Sequence, residues 1–304
     1  MPEARTEVSV SAHDGLIYVV GGFAAAGQQR ASAPRAIWVY DPAGDAWSSP
    51  GSIPVGVNHS GLVSLAGKLY LVGGFRENTF ESVGDVHIYD VASGTWSQGA
   101  PMPTPRGAHA TVVLKGRIHA IGGQAADATV LAPDQHHPGT DGRTLGTHEV
   151  YDPAANRWES RAPMPTARNH LGAAVVAGKI HAVAGRVGGD FTMTEHEVYD
   201  AATDSWSAAP PIPTGRSGIA VVELADRVYV FGGEMTGADG KTFDEAERFD
   251  PAGHWAPLPR MPTARHGLGA AVVNGAIYVI SGGPSPGFAF SGANERLIPK
   301  DRSE

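Results

Sequence analysis

The 304-residue chain is 42% hydrophobic, enough for a packed core, while its 40 Gly and 23 Pro imply many turns. A formal charge of -8 excludes a general nucleic-acid binder, which needs a basic face for phosphate. No apolar run approaches the ~18 residues that cross a membrane, and with no cysteine in the chain, disulfides, thiolate metal ligands and cysteine nucleophiles are excluded.

The opening Met-Pro-Glu-Ala-Arg-Thr-Glu lacks the basic and then apolar segments of a signal peptide, so as written the protein is expected in the cytoplasm. Further along, one small unit recurs six times. Each copy holds a short apolar strand closed by a small residue and a glycine: Gly21-Gly22, Gly73-Gly74, Gly122-Gly123, Ala184-Gly185, Gly232-Gly233 and Ser281-Gly282. The strands before these pairs (LIYVV, KLYLV, RIHAI, KIHAV, RVYVF, AIYVI) are rich in β-branched and aromatic residues and bounded by turns, which reads as β rather than helix. A variable loop follows each pair. The five units before the last then show an extended segment ending in Tyr40-Asp41, Tyr89-Asp90, Tyr151-Asp152, Tyr199-Asp200 or Phe249-Asp250. A few residues beyond each Asp stands Trp47, Trp96, Trp158, Trp206 or Trp255, across a tight turn. Each unit is therefore four antiparallel strands.

A diglycine, a Tyr-Asp and a spaced Trp with a period of about 50 residues resemble the Kelch family along nearly the whole chain. The resemblance implies an all-β, six-bladed Kelch β-propeller with four-stranded antiparallel blades, of the kind found in bacterial Kelch-like proteins. The single domain spans 1–304, with blades near 5–50, 57–100, 106–162, 168–210, 216–258 and 265–304. In the third, 124–146 is an inserted loop, either a lid over the central funnel or a surface excursion. The repeated Tyr and Trp are expected to pack one blade against the next.

The sixth unit ends before any Trp-bearing strand, and Met1-Pro2-Glu3-Ala4-Arg5 aligns with Met164-Pro165-Thr166-Ala167-Arg168. Two outcomes follow. Either the last blade is incomplete, or the natural chain begins upstream of Met1 and carries the missing strand there, together with an export signal that would make the protein secreted or periplasmic.

Function is expected on the face that holds both the turn entering each inner strand and the loop after each small-Gly pair. At one fixed distance before the pairs stand Arg5, Val57, Arg106, Arg168, Arg216 and Arg265. Two residues later come Glu7, His59, Ala108, His170, Gly218 and Gly267, with Asn58 and Asn169 among the residues between. Arg76 and Arg186 follow their glycines in the loops, where Phe23, Gln124 and Glu234 hold the matching positions in other blades. Pro-Thr-x-Arg is part of the Kelch consensus, and such an arginine can simply bond loop carbonyls. Several guanidiniums facing one funnel would also hold carboxylate or phosphate, and in Kelch adaptors of ubiquitin ligases such arginines grip acidic peptides. The expectation is a monomeric binding protein for an acidic small molecule or peptide, with no cofactor required.

Glu7, His59 and His170 break the repeat, as function would, and suit acid–base work or, through His59 and His170, a divalent metal. The second class of function is thus an enzyme, epimerase- or lyase-like or metal-dependent, acting on an acidic or polyhydroxylated small molecule. Galactose oxidase-like chemistry is excluded because its radical cofactor needs a Tyr cross-linked to a Cys. Bacterial sialic-acid epimerases share the six-bladed Kelch scaffold. Phosphate-binding glycine loops and the G-x-S-x-G elbow are absent from the sequence. His119 and His181 replace a strand-two tyrosine and are expected to be satisfied core residues.

Overall fold

The computed structural model describes residues 1–26, 30–77, 79–125, 143–188, 192–235 and 240–299. Blade two shows how the repeat folds. Gly61–Leu65 turns at Ala66-Gly67 into Lys68–Val72, which pairs with Val86–Asp90, which pairs in turn with Thr95–Gly99. Both residues of the first turn have positive φ, the two-residue geometry that matches strand twist. Registers are in step across this blade, Tyr70 lying opposite Val63 and Ile88, and Tyr89 opposite Trp96.

Among the described residues there are five such four-stranded sheets and a sixth of three strands, Gly269–Val273, Ala276–Ile280 and Asn294–Leu297. The inner strands Ser9–His13, Gly61–Leu65, Ala110–Leu114, Gly172–Val176, Ala220–Leu224 and Gly269–Val273 touch in that order, and the last returns to the first. This is the expected all-β propeller, with a last blade lacking its outer strand among the described residues. None of them forms a helix long and apolar enough to cross a membrane.

The core lies between the blades. Each of its six apolar clusters draws on two neighbours: Val112 and Ile121 of blade three meet Leu171, Ile180 and Tyr199 of blade four, for example. A wedge residue from the connecting linker enters five of them: Ile53, Met102, Met164, Ile212 and Met261. In the sixth, which joins blades six and one, Met1 packs against the cluster. Removing a buried wedge such as Met164 by substitution with Ala should cost about 2–5 kcal/mol. The tryptophans seal the outer edge as expected. Trp158, Trp206 and Trp255 each stack on the tyrosine or phenylalanine beside them and donate Nε1–H to Ala100, Ala162 and Pro210 carbonyls of the preceding linker, 2.8 Å in each case.

Two belts of backbone hydrogen bonds hold the blades around the axis. In one, the amide of each second pair glycine donates to the carbonyl at the arginine position of the next blade, from Gly22 to Val57 around to Gly282 and Arg5. Glycine stands there in all six blades for a steric reason. A Cβ on Gly22, Gly74, Gly123, Gly185, Gly233 or Gly282 would fall 2.4–2.8 Å from a carbonyl oxygen of its own blade, at positive φ. The N-terminus closes the ring: the Met1 ammonium meets the Gly292 carbonyl, and Arg5 N–H donates to Ser291 O at 3.1 Å.

Candidate functional site

The second belt frames the central channel. His59 N–H donates to Glu7 O, Ala108 to His59, His170 to Ala108, Gly218 to His170 and Gly267 to Gly218, and Val8 closes the circuit on Gly267 O. All six belt residues adopt left-handed backbone, with φ of 54° at Glu7, 51° at His59, 55° at Ala108, 52° at His170, 66° at Gly218 and 58° at Gly267. Only glycine enters this region freely, and other residues lose roughly 1–2 kcal/mol there. Blades five and six avoid that cost; blade three bears it at Ala108, and blades one, two and four bear it while placing a carboxylate and two imidazoles on the axis.

The arginine ring does something other than line the funnel. Arg5, Arg106, Arg168, Arg216 and Arg265 have no exposed surface, and each meets a carboxylate: Glu3, Glu149, Glu197, Glu247 and Glu295. Most of their remaining donors go to backbone carbonyls, as in Arg106 Nε to Gly122 O at 2.9 Å and Arg168 Nη2 to Ala182 O at 3.0 Å. They tie the linker turn to its own blade, the consensus role, and present no guanidinium to a ligand. Blade two lacks the arginine, having Val57, and it also lacks the third-strand glutamate, having His87. Arg76 is half-buried and faces Glu81 and Asp85 at 3.4 and 3.7 Å, outside the pocket described next.

Glu7, His59 and His170 do come together: one ligand atom from each lies within 4.8 Å of the others. They form the floor of a cavity of about 150 Å³ shared with Arg186, Glu234 and His266 and roofed by Phe23, Phe80 and Phe288. Phe288 meets Phe23 edge-on at 5.2 Å, and Phe80, itself at φ 59°, tilts over Phe23 at 5.8 Å. The polar groups form a connected net. His59 Nε2 lies 3.2 Å from Glu7 Oε2, and His266 Nδ1 sits between Glu7 Oε1 at 3.3 Å and Glu234 Oε2 at 3.4 Å. Arg186 reaches Glu234 Oε1 through Nη1 at 2.9 Å and His170 Nε2 through Nη2 at 2.8 Å.

Asn58 and Asn169 stand behind the histidines rather than in the cavity. Asn58 Nδ2 donates to Phe75 O and Glu77 O, and Asn169 Nδ2 to Thr144 Oγ1, so both Oδ1 atoms face the neighbouring imidazole Nδ1 at 2.6 Å. An amide oxygen can only accept, so Nδ1 carries the proton in both rings and the Nε2 atoms turn inward.

Burial lowers the pKa of His59 even against the pull of Glu7, and it lowers that of His170 much further, with the Arg186 charge helping. Burial would raise the Glu7 pKa, but His59, His266 and His170 outweigh it and bring it well below the usual carboxylate range. His266 goes the other way: Glu7 and Glu234 overcome the cost of burial and favour imidazolium. Two carboxylates against one guanidinium and one imidazolium leave the cavity close to neutral.

His119 and His181 are core residues, as expected. His119 Nδ1 lies 2.9 Å from His148 Nε2, and His181 donates from Nδ1 to His196 Nε2 at 2.8 Å. The proposed lid falls mostly on 126–142, outside the described residues. Glu234 and His266 were visible in the sequence only as repeat-breaking positions, and Phe80 and Phe288 sit in loops with no repeat register to expose them.

Comparisons agree with this architecture. A KLHDC2/KLHL20/DRC7 Kelch-repeats domain matches residues 1–126, and the Kelch motif matches 105–165 and 215–262, together more than half of the chain. A solved protein described as YjhT superposes with a TM-score of 0.82, covering 99% of this chain and 98% of that one at 16% identity. From the repeated diglycine, Tyr-Asp and Trp positions, the closed ring of sheets and these matches, the chain belongs to the Kelch-repeat family.

Proposed function

We propose that this propeller is a binding protein whose channel mouth takes a small polyhydroxylated molecule carrying at most one anionic group. The observation behind this reading is the convergence of ionisable groups from five blades under an aromatic roof: Glu7, His59, His170 with Arg186, Glu234 and His266, beneath Phe23, Phe80 and Phe288. Concave sites of mixed apolar lining and a few convergent polar groups are where proteins hold small molecules. Ring faces suit the C–H surface of a sugar-like ligand, while carboxylates and imidazoles accept from and donate to hydroxyls. The near-neutral charge disfavours the acidic peptide expected from the arginine ring, whose charges are spent inside the blades. Arg186 is the guanidinium at the mouth and can hold one carboxylate by releasing His170.

A screen of neutral polyols, carboxylated sugars and acidic peptides by saturation-transfer NMR tests this. Sugar-like compounds should bind and be lost in Phe288→Ala, with carboxylated ones weakened further by Arg186→Met. Acidic peptides binding equally well to both variants would reject the reading.

One contact favours an enzyme as the second reading. The His59 Nε2 lone pair beside the ionised Glu7 carboxylate, 3.2 Å away, can accept a proton from a ligand hydroxyl and return it. Turnover of a bound sugar, such as interconversion of its anomers followed by NMR, should then fall at least tenfold in His59→Gly.

A further inference from the structure

We propose that Glu7, His59 and His170 form a binding site for one divalent first-row transition ion, placed on the propeller axis with an open position toward the aromatic-roofed cavity. Three independent features of the structure support it, and none depends on which small molecule the cavity holds.

The first is donor chemistry. Two imidazoles and a carboxylate are a recurring set for zinc and related ions when a further position is left to water or ligand. Bonds of about 2.1 Å to a tetrahedral ion place donor atoms about 3.4 Å apart. Here His59 Nε2 and Glu7 Oε2 are 3.2 Å apart, and the His170 donor lies within 4.8 Å of both, so His170 must approach them for a tetrahedral triangle to close.

The second is orientation. Metal-binding histidines are held by a hydrogen bond from the other ring nitrogen, which sets the tautomer and aims the ligand atom. His59 and His170 both have this support, Nδ1–H to Asn58 Oδ1 and to Asn169 Oδ1 at 2.6 Å. Each asparagine is anchored in turn, to Phe75 and Glu77 carbonyls or to Thr144. As a result each ring turns Nε2 away from its asparagine, and His59 Nε2 faces Glu7 Oε2 at 3.2 Å.

The third is backbone. All three donors sit at belt positions with φ of 51–54°, where blades five and six use glycine. Gly267 also makes room for the set, because a Cβ there would fall 2.6 Å from Glu7 Oε1. Ala108 bears the same backbone in blade three without a donor, so the strain alone does not select the site; the belt residues that do carry donors are the ones that converge. Arg186 is the competitor. Its Nη2 bond to His170 Nε2 must be exchanged for the ion, and its existing bond to Glu234 gives it a resting place.

The test is titration of chelator-stripped full-length protein with Zn²⁺ by calorimetry and with Co²⁺ by visible absorption. One ion per chain should bind, with a four- or five-coordinate Co²⁺ spectrum. His59→Gly and His170→Gly should each weaken binding by at least about tenfold. Both should melt no lower than the parent, since glycine is the relaxed residue at this backbone and serves there in blades five and six. Arg186→Met should tighten binding by removing both a competing donor and a positive charge. Absence of one-site binding below about 1 mM, or binding unchanged in both glycine variants, would overturn the proposal.

Discussion

Arg168 and Glu197 show how much one repeated pair contributes at the scale of the residue. Both charges are out of water, and removing one partner leaves the other stranded. Arg168→Ala should therefore destabilise by about 3–5 kcal/mol, read as a lower urea midpoint at unchanged slope. The double change Arg168→Val with Glu197→His copies what blade two carries at Val57 and His87, and should cost much less. If Arg168→Ala left the midpoint where it was, the structural role would be wrong. On the belt, Gly267→Ala should keep the fold at a cost of about 1 kcal/mol for its left-handed backbone. Its methyl would press on Thr6 Oγ1 and on the Glu7 carboxylate, so binding in the cavity should weaken, as measured by the same calorimetry.

The two histidine pairs set a pH dependence at the scale of the element. Burial lowers the pKa of His119, His181 and His196 to about 4 and of His148 to about 3. The unfolded chain takes up protons near the ordinary value of about 6.5, and the folded chain does so only near 3–4. Between those limits the unfolded state binds more protons, so stability falls as pH drops from about 6.5 toward 4. A single histidine shifted by two units contributes roughly 2–3 kcal/mol to that loss. Replacing the pair in blade three by blade two's residues, His119→Tyr with His148→Val, should flatten the acid limb of a melting-temperature profile. An equally steep limb in that variant would assign acid sensitivity to other groups.

The ring seam matters most for the whole molecule. Blade one has Trp38 where blades three to six place the third-strand glutamate, and Glu3 supplies the carboxylate for Arg5 instead, with Trp38 Nε1–H donating to it at 3.2 Å. The opening residues thus carry both a blade's charge pair and the bonds that close the circle through Ser291, Gly292 and Ser281 Oγ, the last 2.7 Å from Arg5 O. Glu3→Ala should speed amide exchange at Arg5 and Gly282, across the seam, and leave Gly123 and Gly185 protected. Uniform acceleration around the ring would mean that the seam is no weaker than any other junction.

Much of this was legible in the linear chain. The repeated small-Gly pairs, the strand patterns and the Tyr-Asp and Trp positions determined a propeller and its registers, because local turn chemistry and alternation act over a few residues. The break of the repeat at Glu7, His59 and His170 marked the axis for the same reason, since identical backbone positions should otherwise carry identical side chains. Only the tertiary structure decided where the arginines point. Their partners are glutamates 29 to 43 residues away on the third strand, and in blade one a residue two positions before. Pairing at that distance is set by how strands stack and how deeply a guanidinium is buried, not by the consensus that repeats it. The aromatic roof likewise depends on loops of blades one, two and six meeting over the channel, which no single repeat contains.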